Sequence, residues 1–235
     1  LLAGHWSHRI ARRSRPVLAE RVPSDVSAMF PLGSVLLPHM PLPLQLFEQR
    51  YLMMLGQLLE TEDPEFGVVL IERGSEVGGG DRRLEYGTFA RVVEVDPRAG
   101  LTGVLAIGTN RLRVVEWLPD DPYPKALVEA VPELEWDDSL IDLFDETEAA
   151  VRSVLRVVAD LAAGQVHTIW PADVTISDEP IVAAWQLAAI TPVGPLDQYD
   201  LLCSASCEEL LARTRELASE AESTASRLRD LPRTD

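Results

Sequence analysis

Four prolines, Pro31, Pro38, Pro41 and Pro43, fall between Phe30 and Tyr51 and constrain the fold more than any other feature of the chain. Proline has no amide donor, so it is excluded from the middle of a sheet and confined to edges, strand starts and bulges. The stretch therefore reads as short extended pieces along an exposed or capped edge, turning into a helix near Glu48. It holds no catalytic group. Binding is a better expectation for it than chemistry.

The chain has 235 residues, enough for one large domain or two modest ones with a real core. Hydrophobic residues make up 46% and charged residues 25%, which is globular rather than disordered composition. Its apolar runs fall well short of the roughly 20 residues of a membrane helix, so no membrane association is expected. A net charge of −17 argues against nucleic acid, because phosphate binding calls for a basic face. The single lysine, Lys125, leaves almost no candidate for lysine-based catalysis. The two cysteines give no disulfide framework and fit a reducing cytoplasm.

Residues 1–28 carry Arg9, Arg12, Arg13, Arg15 and Arg21 and have no apolar core of a secretory signal. They are expected as a flexible leader or start-site extension, with Met29 as the natural beginning of the fold.

Beyond Gln49 the apolar residues Tyr51, Met54, Leu55, Leu58 and Leu59 recur with helical spacing. Phe66 to Ile71 reads as a buried strand, and Gly74 to Asp81 as a mobile loop without the Gly-Lys-Ser/Thr ending of a nucleotide loop. Strands follow at Leu84 to Val95, Leu101 to Ile107, Asn110 to Trp117 and Ala126 to Val131. In the third of these, Leu112 and Val114 are expected on one face, Arg111 and Arg113 on the other. Regular short strands with one inserted helix predict a small β-barrel over residues 29–132.

At Pro132 the composition changes. The span from Glu133 to Glu148 has eight acidic residues and no basic one. Ser139 with Asp142 resembles a capping box opening a long helix that Gly164 ends. Further helices are expected from Ile181 to Ile190, opened by Ser177 or Asp178, from Leu196 to Cys203, and from about Ser206 to Leu228. Residues 137–230 thus form an all-α bundle, and the chain as a whole is α+β. Cys203 and Cys207 read as buried thiols on one helical face rather than as part of a zinc site, which takes four ligands. No Gly-x-Ser-x-Gly elbow, His-Glu-x-x-His or Walker loop is present, so neither a catalytic residue nor a metal or other cofactor is expected.

The ordered segments PLGSVLLP (31–38), LPLQLFEQRY (42–51), FGVVLIERGSE (66–76), YGTFARVVEV (86–95) and GTNRLRV (108–114) together resemble the N-terminal substrate-binding domain of Lon protease. The likeness runs from Phe30 to Val131 and more loosely through the C-terminal helices. It implies a PUA-like β-barrel followed by a helical bundle, and a part in protein quality control through capture of unfolded or degron-bearing protein. Within these 235 residues there is neither a phosphate loop nor a Ser–Lys pair, so the resemblance implies a stand-alone Lon-type domain without ATPase or peptidase. Two positions depart from the family pattern. His39 stands where the family favours glycine, and Arg98-Ala99-Gly100-Leu101 replaces an acidic Asp-Gly turn.

Two function classes follow. The first is a non-catalytic module that takes protein or peptide segments, with a protease or chaperone among its possible partners. An exposed edge would accept an extended peptide by strand addition, with Leu42, Leu44, Leu46 and Phe47 in apolar contact and Glu48, Arg50 and Tyr51 beside them. The second is a PUA-type domain for a small ligand or RNA, or a peptidase-associated hydrolase. Net acidity disfavours RNA and the missing motifs disfavour hydrolysis.

Overall fold

The computed structural model describes residues 25–72, 82–98, 101–161 and 170–229. Most of the leader, the glycine-rich loop and the helix end at Gly164 lie outside them. Among the described residues two compact units follow one another, the first ending at Glu133 and the second starting at Leu134.

The first unit is a six-stranded sheet with one inserted helix. Strand β1 spans Asp25–Leu32, β2 Pro41–Leu46, β3 Glu65–Glu72, β4 Arg82–Arg98, β5 Leu101–Leu118 and β6 Lys125–Ala130, with helix α1 at Gln49–Leu58. The strand order is β2-β5-β4-β3-β1-β6, and β5 pairs also with β6. The pairings therefore run from β5 through β4, β3, β1 and β6 and back to β5, with β2 attached outside this circuit. Only β1 and β3 are parallel. Register shifts in β3, β4 and β5 mark bulges, which bend strands of this length and increase their twist.

Strand β1 corrects the expected start of the fold. Asp25 to Ala28 pair with Val128 to Lys125 of β6, so the sheet begins four residues before Met29. Met29 itself is fully buried in a core with Val69, Phe89, Leu112, Val114, Ala126 and Val128. The expected break between Ile107 and Asn110 is absent, and β5 is continuous there. The register shifts at this place, with Ala90 opposite Gly108 but Thr88 opposite Arg111, and the Thr109 hydroxyl donates to Glu65 at 2.7 Å. The expected break is thus an irregularity within one continuous strand rather than a gap between two strands. Arg111 shares a face with Arg113, opposite to that of Leu112, as expected. It is only 5% exposed, and its guanidinium donates to the Pro132 carbonyl at 2.9 Å. Arg113 pairs with Glu85 and Glu129.

The second unit is helical. Asp137 accepts a hydrogen bond from the Ser139 amide at 2.8 Å, and its carboxyl is held below the usual carboxylate range by its bonds from Ser139. A single 3-10 turn, Asp138–Leu140, then leads into α2 at Ile141–Leu161. The N-terminal cap is therefore Asp137, two residues before the expected Ser139. Helix α3 spans Pro180–Ile190, α4 Pro195–Leu202 and α5 Cys207–Arg229. Glu179, not Ser177 or Asp178, is the α3 cap position, and Pro180 fills the first turn where its missing donor costs nothing. At α5 Ser206 accepts from the Glu209 amide while Glu209 reaches back to the Ala205 amide, a reciprocal cap. The buried Thr147 hydroxyl bonds both Leu143 within α2 and Leu211 of α5, tying the two long helices.

The two cysteines do not share a helix. Cys203 ends α4 and Cys207 opens α5. Cys207 is buried, and burial pushes its thiol up to about 11, so it stays protonated at neutral pH.

Candidate functional site

Strand β2 and the start of α1 hold every residue expected at the site. The alternation of the strand puts Leu42, Leu44 and Leu46 on one face and Pro41, Pro43 and Gln45 on the other. Leu42 and Leu44 are half-buried, while Leu46 is buried. Phe47 follows at 69% exposure, the most exposed of the large hydrophobic residues described. Glu48, extended at the helix N-cap, makes an exposed ion pair with Arg50 at 2.9 Å. Tyr51 turns inward, stacking on Phe30 with ring centroids 4.2 Å apart, and Arg50 lies over its ring at 4.7 Å. Leu46 and Tyr51 are thus core residues, which removes them from the expected contact surface.

The expected strand addition fares poorly for a backbone reason. Among the described residues β2 pairs with β5 alone, with Pro41 opposite Ile107 and Leu46 opposite Thr102. The Met40 carbonyl accepts from the Gly108 amide at 2.9 Å, so the backbone of residue 40 points at β5. By the two-residue period, residues 42, 44 and 46 also point at β5, while 41, 43 and 45 point to the free edge. Pro41 and Pro43 have no donor to offer there, which leaves Gln45. An edge with one amide in three positions blocks pairing more than it invites it.

Sequence reasoning missed the charged partners that gather round this segment. Arg83 lies over the Trp117 ring at 4.4 Å and grips Asp120 with two bonds, of 2.9 and 3.3 Å. Tyr123 donates to Gln57 of α1 at 2.5 Å, and Lys125 sits over the Tyr123 ring. Burial raises the Tyr51 phenol pKa. Arg50 and Arg83 pull it down while Glu48 and Asp120 push it up, so both pairs lie within electrostatic reach of the ring. The sequence signal was faint: aromatic residues interleaved with cations, brought together only by the sheet. Each of these cations has its carboxylate or ring. Among the described residues no group of three or more His, Cys, Asp or Glu could hold a metal, and no helix is long and apolar enough to cross a membrane. What the segment offers chemically is apolar surface framed by matched charge.

The family model of the ATP-dependent protease La (LON) substrate-binding domain matches residues 26–220, most of the chain. The chain belongs to this family. Among solved structures, a Lon N-terminal domain protein from Xanthomonas campestris is similar at 23% identity and TM-score 0.55, over 80% of this chain and 96% of that one. The N-terminal domain of the Mycobacterium avium complex Lon protease is similar at 16% identity and TM-score 0.59, over 83% and 99% of the two chains. At these identities the likeness shows a shared fold. No curated protein matches the chain.

The Lon-type pattern also explains a local strain. Leu37 to Met40 form a turn closed by the Met40 amide on the Leu37 carbonyl at 3.3 Å. Pro38 takes the second position, and His39 the third with φ of 63°. A turn with proline second and positive φ third favours glycine at that third place, which is the residue the Lon pattern has there. His39→Gly is expected to be more stable than His39→Ala by about 1 kcal/mol, since the two variants differ in the Cβ that the left-handed backbone disfavours. Urea denaturation of the two variants checks it.

Proposed function

We propose that this Lon-family chain is a non-catalytic module that binds unfolded or partner protein segments in the cytoplasm, and that its closed circuit of strands is a PUA-like barrel. The observation that carries the binding reading is Phe47, a large aromatic side chain left 69% exposed beside the half-buried Leu42 and Leu44 of the family's signature segment. Isolated exposed apolar residues are ordinary, but aromatic anchors are what protein interfaces are built on. The donor-poor edge favours capture through side chains over strand addition. Nucleic acid is disfavoured by the charge of −17, and hydrolysis by the lack of a Gly-x-Ser-x-Gly, His-Glu-x-x-His or Walker motif in the sequence.

Fluorescence anisotropy with a labelled, reduced and alkylated model protein tests this reading. Phe47→Asp, in a chain that still unfolds cooperatively, is expected to weaken binding about tenfold or more. Unchanged binding by that variant removes Phe47 from the surface. No binding by the unmodified chain up to about 1 mM, the weak end of specific affinity, sinks the reading.

A further inference from the structure

Gly56 sits inside α1, exposed, and a Cβ built on it would meet nothing within 4 Å. Glycine in a helix interior weakens the helix about fivefold relative to alanine, and no packing within the chain calls for a small residue here. At 100° per residue its neighbours on the helix surface are Leu52 and Met53 one turn before and Leu59, the C-cap residue, one turn after. Met53 is 43% exposed and Leu59 49%, so the glycine makes a side-chain-free notch between apolar walls. Tyr51, Met54 and Leu55 are the buried residues of α1, which places the notch on the face turned away from the sheet core.

The segment that follows the helix is acidic. Glu60, Glu62 and Asp63 follow the helix, all exposed, and of these Asp63 alone has a cation nearby, Arg91 at 4.0 Å. We propose that the Gly56 notch is a docking site for a cationic amphipathic segment of another polypeptide. One large apolar side chain of the segment enters between Leu52, Met53 and Leu59, and its lysines or arginines meet Glu60, Glu62 and Asp63. This rests on the protein-binding reading and extends it. It names the segment chemistry that is taken, and it places contact on the outer face of α1 rather than on the edge of β2.

A labelled peptide of alternating leucine and lysine at helical spacing, and its counterpart with glutamate for lysine, are the probes. Gly56→Gln fills the notch with a better helix former and is expected to keep or raise Tm, by about 2–4 °C. It should weaken the lysine peptide about tenfold, and the glutamate peptide should bind the unmodified chain at least tenfold more weakly than the lysine one. A Gly56→Gln chain that is folded and binds the lysine peptide as before overturns the notch. Equal affinity for the two peptides overturns the charge preference. A dimer of the unmodified chain that Gly56→Gln dissociates, seen by sedimentation, makes a second copy the occupant and overturns the proposal. Phe47-sensitive capture of unfolded protein that ignores Gly56→Gln removes this inference alone, whereas failure to capture any polypeptide removes the binding reading with it.

Discussion

Trp185→Ala is expected to destabilise the helical unit by about 4 kcal/mol, the largest single effect in the chain. Trp185 is fully buried at the centre of α3, a helix buried on nearly every side. A helix apolar all round belongs in the middle of a core, and eight of the eleven residues of α3 are buried. Its neighbours along the helix include Ala183, Ala184 and Ala188, all buried and too short to move into the space that an indole leaves. The cavity should therefore persist, and the full cost of lost burial plus void should appear as a lower denaturation midpoint with an unchanged m-value. A loss under about 1 kcal/mol would mean that the helices close over the gap, and that α3 is not the centre its burial indicates.

Gly87→Ala is expected to cost about 3 kcal/mol in the first unit, through overpacking rather than a cavity. A Cβ at Gly87 would lie 2.2 Å from the Val68 carbonyl oxygen and 2.8 Å from a Val69 methyl carbon. The first obstacle is backbone, held in the β3–β4 ladder with Val68 opposite Thr88 and Val69 opposite Gly87. It cannot rotate aside as a side chain would. The open site at Gly56 is the matched control, since the same added methyl there meets nothing and improves the helix. Chemical denaturation of the two alanine variants should move in opposite directions. Gly87→Ala as stable as the parent chain would show that β3 and β4 separate easily at this point.

Much of the architecture was legible because local pattern and global arrangement agree. Helical spacing marked α1, α2 and α5, start and stop signals marked α3, and the acidic, proline-led change at Pro132 falls next to the boundary between the two units. The segments resembling a Lon N-terminal domain contain glycines whose need is visible only in space, Gly87 against the Val68 carbonyl among them. What failed to show in sequence was set by contacts distant along the chain. The pause at Gly108 and Thr109 became a register shift within β5, which shows only when that strand is paired with β4. The burial of Arg111 is another case, since the Pro132 carbonyl that its guanidinium meets lies 21 residues on. Ser139 looked like the cap because its hydroxyl and Asp142 have the right spacing, yet the Asp137 carboxylate reaches the Ser139 amide first.

The candidate site was legible to the same degree. Glu48, Arg50 and Phe47 are local to one turn of chain and could be placed by reading. Strand alternation puts Leu42, Leu44 and Leu46 on one face but does not say which end of that face is covered. Leu46 and Tyr51 proved to be core for that reason. Arg83 and Asp120, 37 residues apart, meet only when β4 and the end of β5 have folded together.

Mixing the purified chain with a reduced, alkylated protein and, separately, with the native form of the same protein tests capture most directly. Binding to the unfolded form at least tenfold tighter than to the native form, with the captured polypeptide left intact in the presence of ATP, is the expected result. Equal affinity for the two forms, or ATP-stimulated cleavage by the pure chain, would contradict it.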